Sequence, residues 1–244
     1  MQIEIYADLT CPWSYLGKRR LEAALGRSPF ARDAILRWRP YQLDPDLPRP
    51  GQPLLTWLAR RHGSVERARA AMTQVRRTAA AEGIEFDVDR AIIANTFDAH
   101  RLLWFADQPE AVFSGATADT QQELVESLHR AHFTDGLDLS DREVLIALAG
   151  EAGLDEDRVR QLLRTTEATA DVRAALARAH DLGISSVPTF VFAGTYTVSG
   201  AQDARTMTGL LAEVARRERL APTVRSLVPQ QRRTPAPDDD SRVG

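Results

Sequence analysis

The chain has 244 residues, 43% hydrophobic and 27% charged, a globular balance that excludes collagen-like, coiled-coil and wholly disordered classes and suits one large domain or two small ones. Lys+Arg 31 against Asp+Glu 34 gives a net charge of -3, so no electrostatic excess draws the chain to nucleic acid or to an anionic membrane. The single cysteine, Cys11, excludes an intramolecular disulfide and an all-cysteine zinc site, so any thiol redox chemistry needs a second molecule.

Met1 to Tyr6 shows no basic run followed by an apolar stretch and a cleavage site, and no apolar run of about 20 residues occurs anywhere; a cytoplasmic protein is expected. Ile3, Ile5 and Ala7 alternate with Glu4 and Tyr6, which predicts a first strand over residues 2 to 7. Trp13 to Leu25 carries Tyr15, Leu16, Leu21, Ala24 and Leu25 at helical spacing and ends at Gly26. Lys18, in this helix, is the only lysine of the chain, so the basic residues read as an arginine bias on solvated helix faces. Leu36 to Leu43 reads as a second strand running into the proline-rich loop DPDLPRPGQP.

From Leu54 to about Leu182 the pattern is helical almost throughout, with Asp141 placed to cap one helix and Gly183 to end the last. Thr189 to Phe192 and Tyr196 to Ser199 then form a predicted hairpin through Ala193-Gly194-Thr195, and a last helix runs from about Ala204 to Arg219. The tail from Pro222 has few large apolar residues and is expected to be disordered. This order predicts an α/β fold of thioredoxin-like arrangement with a large all-helical insertion, other α/β sheets being open on pattern alone: a sheet domain from residues 1–48 and 176–220, an inserted helical domain over 49–175, and a disordered tail over 221–244.

Cys11 stands at the end of the first strand and just before a helix whose first residue is Pro12. There the unpaired backbone donors and the macrodipole favour thiolate, which can bring a thiol from about 8.5 to between about 3.5 and 7.5. The bland alternative is a buried structural cysteine. Val187-Pro188 lies directly before a strand, where a thioredoxin-type fold has a cis-proline loop facing the cysteine; a trans proline starting an edge strand is the other reading.

The residues Asp8-Leu9-Thr10-Cys11-Pro12-Trp13, Tyr15-Leu16-Gly17-Lys18-Arg19, Trp38 to Leu43, Asn95-Thr96, Ala99 to Leu102, Gly183-Ile184, Val187 to Phe190 and Val198 to Gln202 together resemble the FrnE-like branch of the DsbA family. That family is related to 2-hydroxychromene-2-carboxylate isomerases and kappa-class glutathione transferases. The resemblance spans residues 1 to about 220 and implies a thioredoxin fold with a helical insertion, a cis-Pro188 and a cleft between the two parts. It also implies catalytic Cys11, with Pro12, Trp13, Val187, Pro188, Asn95 and His100 bordering the substrate; Asn95 also makes an ordinary N-cap, and a packing or hydrogen-bonding role is the leading reading of His100, since no partner carboxylate is identifiable.

One departure matters most. Where oxidising relatives carry C-P-W-C, this chain has Cys11-Pro12-Trp13-Ser14, and a serine cannot resolve a mixed disulfide because its alkoxide is inaccessible near neutral pH. Monothiol chemistry remains, with Ser14 as a hydrogen-bond donor to sulfur and an external thiol as resolving partner. No tightly bound cofactor is expected, and glutathione is the candidate cosubstrate. The expected partners are a small-molecule thiol or disulfide, or a protein disulfide, with a homodimer as one candidate state. The competing functions are a glutathione-dependent isomerase or transferase and a non-redox small-molecule binding protein. His129 and His132 have metal-compatible spacing, but their helix reads as core, and no metal is expected. Asp238 to Asp240 read as solvated tail rather than a calcium site. Trp13, Trp57 and Trp104 are candidate walls of an aromatic cleft.

Overall fold

The computed structural model describes residues 1–29, 34–117 and 119–220. Strand β1 (Gln2–Ala7) lies at the centre of a four-stranded sheet ordered β2-β1-β5-β6, with β2 at Ile35–Pro40, β5 at Thr189–Phe192 and β6 at Tyr196–Ser199. β1 runs parallel to β2 and antiparallel to β5, and β5 pairs with β6 as the expected hairpin. Because side chains alternate across a strand, β1 serves two faces. Ile3, Ile5 and Ala7 pack with Leu21 and Ala24 of helix α1 (Pro12–Leu25), Phe190 and Phe192 of β5, and Met207 and Leu211 of helix α9 (Ala204–Leu220). Each such fully buried side chain contributes about 1.5–3 kcal/mol. On the other side Tyr6 joins a smaller cluster with Cys11, Tyr41, Ala179, Ile184, Val187 and Val191.

Between the halves of the sheet the chain forms α2 (Leu54–His62), α3 (Val65–Ala81), α4 (Phe97–Ala106), α5 (Thr120–Arg130), α6 (Arg142–Glu151), α7 (Glu156–Arg164) and α8 (Thr169–Asp181). Side chains of Ser64, Asp141 and Asp155 accept backbone N–H groups at the starts of α3, α6 and α7, each such cap stabilising by about 1 kcal/mol. The helical block shares its core with the sheet. The cluster holding Ile3 and Ile5 continues through Trp38 to Leu102, Leu124, Leu145 and Leu162. Gln121 of α5 reinforces that junction by accepting the Trp38 N–H at 3.0 Å.

The thioredoxin-like arrangement expected from the pattern is the one observed. Three details differ. β2 stops at Pro40, which has no N–H to continue the ladder, rather than at Leu43. Extended structure returns inside the helical stretch as a two-residue ladder, β3 (Gln52–Pro53) with β4 (Ile92–Ile93), too short to leave a period-2 signal. The expected boundary at 175/176 falls within the continuous helix α8. The tail expectation over 221–244, with Asp238 to Asp240, lies outside the described residues. No helix among the described residues is long and apolar enough to cross a membrane.

Candidate active site

Cys11 is the N-cap of α1, with an extended backbone (φ -88, ψ 117) and Pro12 following as the first helical residue. Its N–H donates to the Asp8 carbonyl at 3.1 Å, and its own carbonyl accepts from Ser14 N at 3.0 Å. These bonds fix the turn from β1 into the helix. The sulfur lies 4.0 Å from the Val187 carbonyl oxygen, across 176 residues of sequence. The Val187–Pro188 peptide bond is cis, as is Arg49–Pro50. Gly17 lets the two segments meet: a Cβ there would stand 2.6 Å from Pro188 Cγ and 3.1 Å from the Phe190 ring, inside van der Waals contact.

The electrostatics overturn one expectation. Cys11 is 6% exposed, and its thiol is pushed above its ordinary value, chiefly by burial and further by the Asp8 carboxylate. The backbone N–H groups of Ser14 and Trp13 and the Ser14 hydroxyl pull the other way without winning. The helix start therefore does supply donors. Desolvation of the sulfur and the acid three residues before it outweigh those donors, and neither is visible in the helix-start pattern.

Asp8, the first residue of the motif, has a structural role. It is 2% exposed, and burial raises its carboxyl despite the N–H of Leu43 at 2.8 Å and the Thr96 hydroxyl at 3.2 Å. It thereby ties the end of β1 to the loop after β2 and to the start of α4. Besides the nearby Thr10, its partners lie 35 and 88 residues away, where no local pattern could show them.

Ser14 is fully buried, and its Oγ has no hydrogen-bond partner among the described residues. Trp13 is 40% exposed beside it, so of the two motif neighbours only the tryptophan reaches solvent. Val187 and Pro188 are buried against the thiol and α1.

The two residues of the α4 approach turn inward. His100 is 3% exposed with Nε2 3.0 Å from the Tyr41 carbonyl, and burial takes its pKa down to about 4. The expectation that it borders substrate is corrected to a neutral, packed imidazole. Asn95 spends its amide on structure: Oδ1 accepts from Arg49 at 2.8 Å and from Phe97 N at 3.0 Å, and Nδ2 donates to the Pro45 carbonyl at 2.7 Å. Neighbouring Arg101, 3% exposed, donates to the carbonyls of Leu162, Thr165 and Glu167 and to Asp98, which anchors the loop after α7.

His129 stacks on Tyr15 at 4.7 Å and is fully buried, as core residues are. Lys18 is no solvated face: it is 4% exposed and bridges Glu22 and Glu126. Trp57 lies under the Arg61 guanidinium, and Trp104 lines a separate cavity with Tyr6 and Arg39.

Comparison with known proteins gives a consistent picture. The family model described as a DSBA-like thioredoxin domain matches residues 2–212. A probable DsbA oxidoreductase from Streptomyces coelicolor is similar at 36% identity with a TM-score of 0.78, covering 88% of this chain and 90% of that one. The cytosolic disulfide reductase DsbM from Pseudomonas aeruginosa, solved with GSH, shares the fold at 18% identity and a TM-score of 0.58, covering 88% and 100%. A 2-hydroxychromene-2-carboxylate isomerase does so at 20% identity and a TM-score of 0.58, covering 90% and 98%. No curated protein sequence matches.

Proposed function

Because the chain belongs to the DSBA-like thioredoxin-domain family, whose members are thiol-disulfide oxidoreductases, we propose that it is a FrnE-like member that works with one thiol. Cys11, as thiolate, attacks a disulfide R–S–S–R′ to form Cys11–S–S–R, and R′ leaves as a thiolate that takes up the proton. An external thiol, glutathione in this reading, then attacks the mixed disulfide, forms its own disulfide with R and returns Cys11 as thiol. Val187 and Pro188 form the ledge beside the bond being exchanged, Trp13 the exposed border, and Ser14 Oγ the donor to sulfur. The cytoplasm, where thiols stay reduced, suits a chain with one unpaired cysteine.

The observation that carries this reading is the placement of Cys11 Sγ at the start of α1, 4.0 Å from the Val187 carbonyl. The raised thiol adds a direction. Strong oxidants of this chemistry owe their potential to a stabilised reduced form, and here the reduced form is a protonated thiol beside a carboxylate. Reduction or thiol exchange is therefore favoured over oxidation of substrates. Treatment with oxidised glutathione followed by intact-mass measurement tests it. One glutathionyl adduct is expected, reversed by excess reduced glutathione and absent in Cys11→Ala. No adduct on the wild-type chain overturns the proposal.

The unpartnered Ser14 hydroxyl also favours a second reading, in which it holds the thiolate of bound glutathione for a non-redox isomerisation. Glutathione-dependent isomerisation of 2-hydroxychromene-2-carboxylate that survives Cys11→Ala and is lost in Ser14→Ala would establish that reading instead.

A further inference from the structure

On the Tyr6 side of the sheet, outside the thiol site, a cavity of about 430 Å³ opens between α8, the strands β1 and β2, and α4. That volume lies within the range of small-molecule sites. Asp171, Ala174, Ala175 and Arg178 line it from α8 at i, i+3, i+4 and i+7, a single helix face. Ala174 and Ala175 present only methyl groups to this groove, which leaves it open. Trp104 of α4 forms the facing wall.

The charges around it are not equivalent. Arg39 is occupied: Nε donates to Glu4 at 2.9 Å and Nη1 to Asp107 at 3.4 Å, so the floor is locally neutralised. Arg178 instead lines the cavity near the hydroxyl of Tyr6, a residue 2% exposed. Burial and Glu4 raise the Tyr6 phenol above its ordinary value, so it stays protonated. Its O–H can therefore donate into the cavity. One end of the cavity thus offers a cationic fork and a neutral O–H donor, the pair that suits a carboxylate. About 10 Å along α8, seven residues back, Asp171 offers an acceptor.

We propose that this cavity binds a small aromatic carboxylic acid bearing a hydroxyl or amino group at its far end. The carboxylate lies on Arg178 and the Tyr6 hydroxyl, the ring lies between Trp104 and the alanine pair, and the far group donates to Asp171. This site is separate from the thiol chemistry and stands without it.

Isothermal titration calorimetry with 4-hydroxycinnamate as probe tests it. Saturable one-to-one binding is expected for the wild-type chain and for Cys11→Ala. Cinnamyl alcohol, which lacks the carboxylate, should bind at least about tenfold more weakly. Arg178→Ala, which removes the guanidinium, and Ala174→Leu, which fills the space, should each weaken the acid about tenfold or more; both positions are exposed, so folding is not at issue. Absence of saturable heat up to about 5 mM probe, unchanged affinity in both variants, or loss of binding in Cys11→Ala overturns the proposal.

Discussion

Helix α1 buries polar groups in two places, and it treats them oppositely. Around Lys18 the carboxylates are paired, although Arg19 Nε and both ring nitrogens of His129 have no hydrogen-bond partner among the described residues. The Lys18 ammonium bridges Glu22 at 2.6 Å and Glu126 at 2.5 Å, and Glu126 also accepts from Tyr15 Oη at 2.7 Å and Arg19 at 2.6 Å. Burial alone would raise Glu126, but Lys18 and Tyr15 outweigh it and hold the carboxyl below its usual range, while Tyr15 is pushed up to about 12 by burial and by Glu126. One turn toward the N-terminus, Ser14 Oγ has no partner, and the Cys11 thiol has one long contact and an adverse carboxylate nearby. A satisfied polar network rigidifies a seam, whereas unspent hydrogen-bonding capacity beside a sulfur is what a passing thiolate can use. The only lysine of the chain thus serves architecture, and the only cysteine is left unsettled.

The largest expected effect lies at the seam. His129 and His132 on its α5 side, and His100 behind it, are all buried, and burial lowers the pKa of each. A group whose folded pKa is depressed binds its proton first in the unfolded chain. Stability is therefore full above about pH 6.5 and is lost as pH falls toward the folded values, about 4 for His100 and His132. The loss is on the order of 3 kcal/mol for each of these two groups over that window. Urea unfolding at pH 7 and pH 4.5 measures it, and a flat profile would refute the account.

Next in size is Lys18→Met. Removing the ammonium leaves two carboxylates without their bridge. Because Glu22 and Glu126 are 39% and 30% exposed, the loss is expected at about 2–3 kcal/mol rather than at the fully buried limit. The Cys11 thiol should titrate as in the wild type. A large shift in that titration would show that seam and thiol act as one unit, and the comparison would fail.

The sequence made the frame legible because the frame is written in short periods. Alternation at Ile3, Ile5 and Ala7, helical spacing after Cys11 and the hairpin at Ala193-Gly194-Thr195 each need only a few neighbouring residues to be read. The site was legible to the extent that it sits in one motif: Cys11 and Ser14 in the turn after β1, and Val187-Pro188 before β5. What stayed hidden depends on distance in the chain. Asp8 meets Thr96, Lys18 meets Glu126, and His100 meets Tyr41 only after folding, so neither the raised thiol nor the inward turn of His100 could be read from spacing. Helix-terminus reasoning supplied the donors at Cys11 but not the desolvation that outweighs them.

At the thiol end the effects are smaller in stability and fall on titration. Asp8→Asn can keep its oxygen on the Leu43 N–H while its amide donates to the Thr96 hydroxyl, and it removes the like charge, so the Cys11 thiol should fall, followed by thiolate absorbance. An unchanged thiol would mean that burial alone sets its value.

Ser14→Ala is the mildest change and the sharpest test of the contrast. The hydroxyl favours thiolate, so deleting it should raise the Cys11 thiol, by less than the Asp8 charge does. Since Ser14 Oγ has no hydrogen-bond partner among the described residues beyond its weak pull on the Cys11 sulfur, its loss should cost little or no stability. If Ser14→Ala instead destabilised the fold as much as Lys18→Met, the hydroxyl would be holding the helix together like the ammonium. The N-terminal turn of α1 would then be a second seam rather than a site.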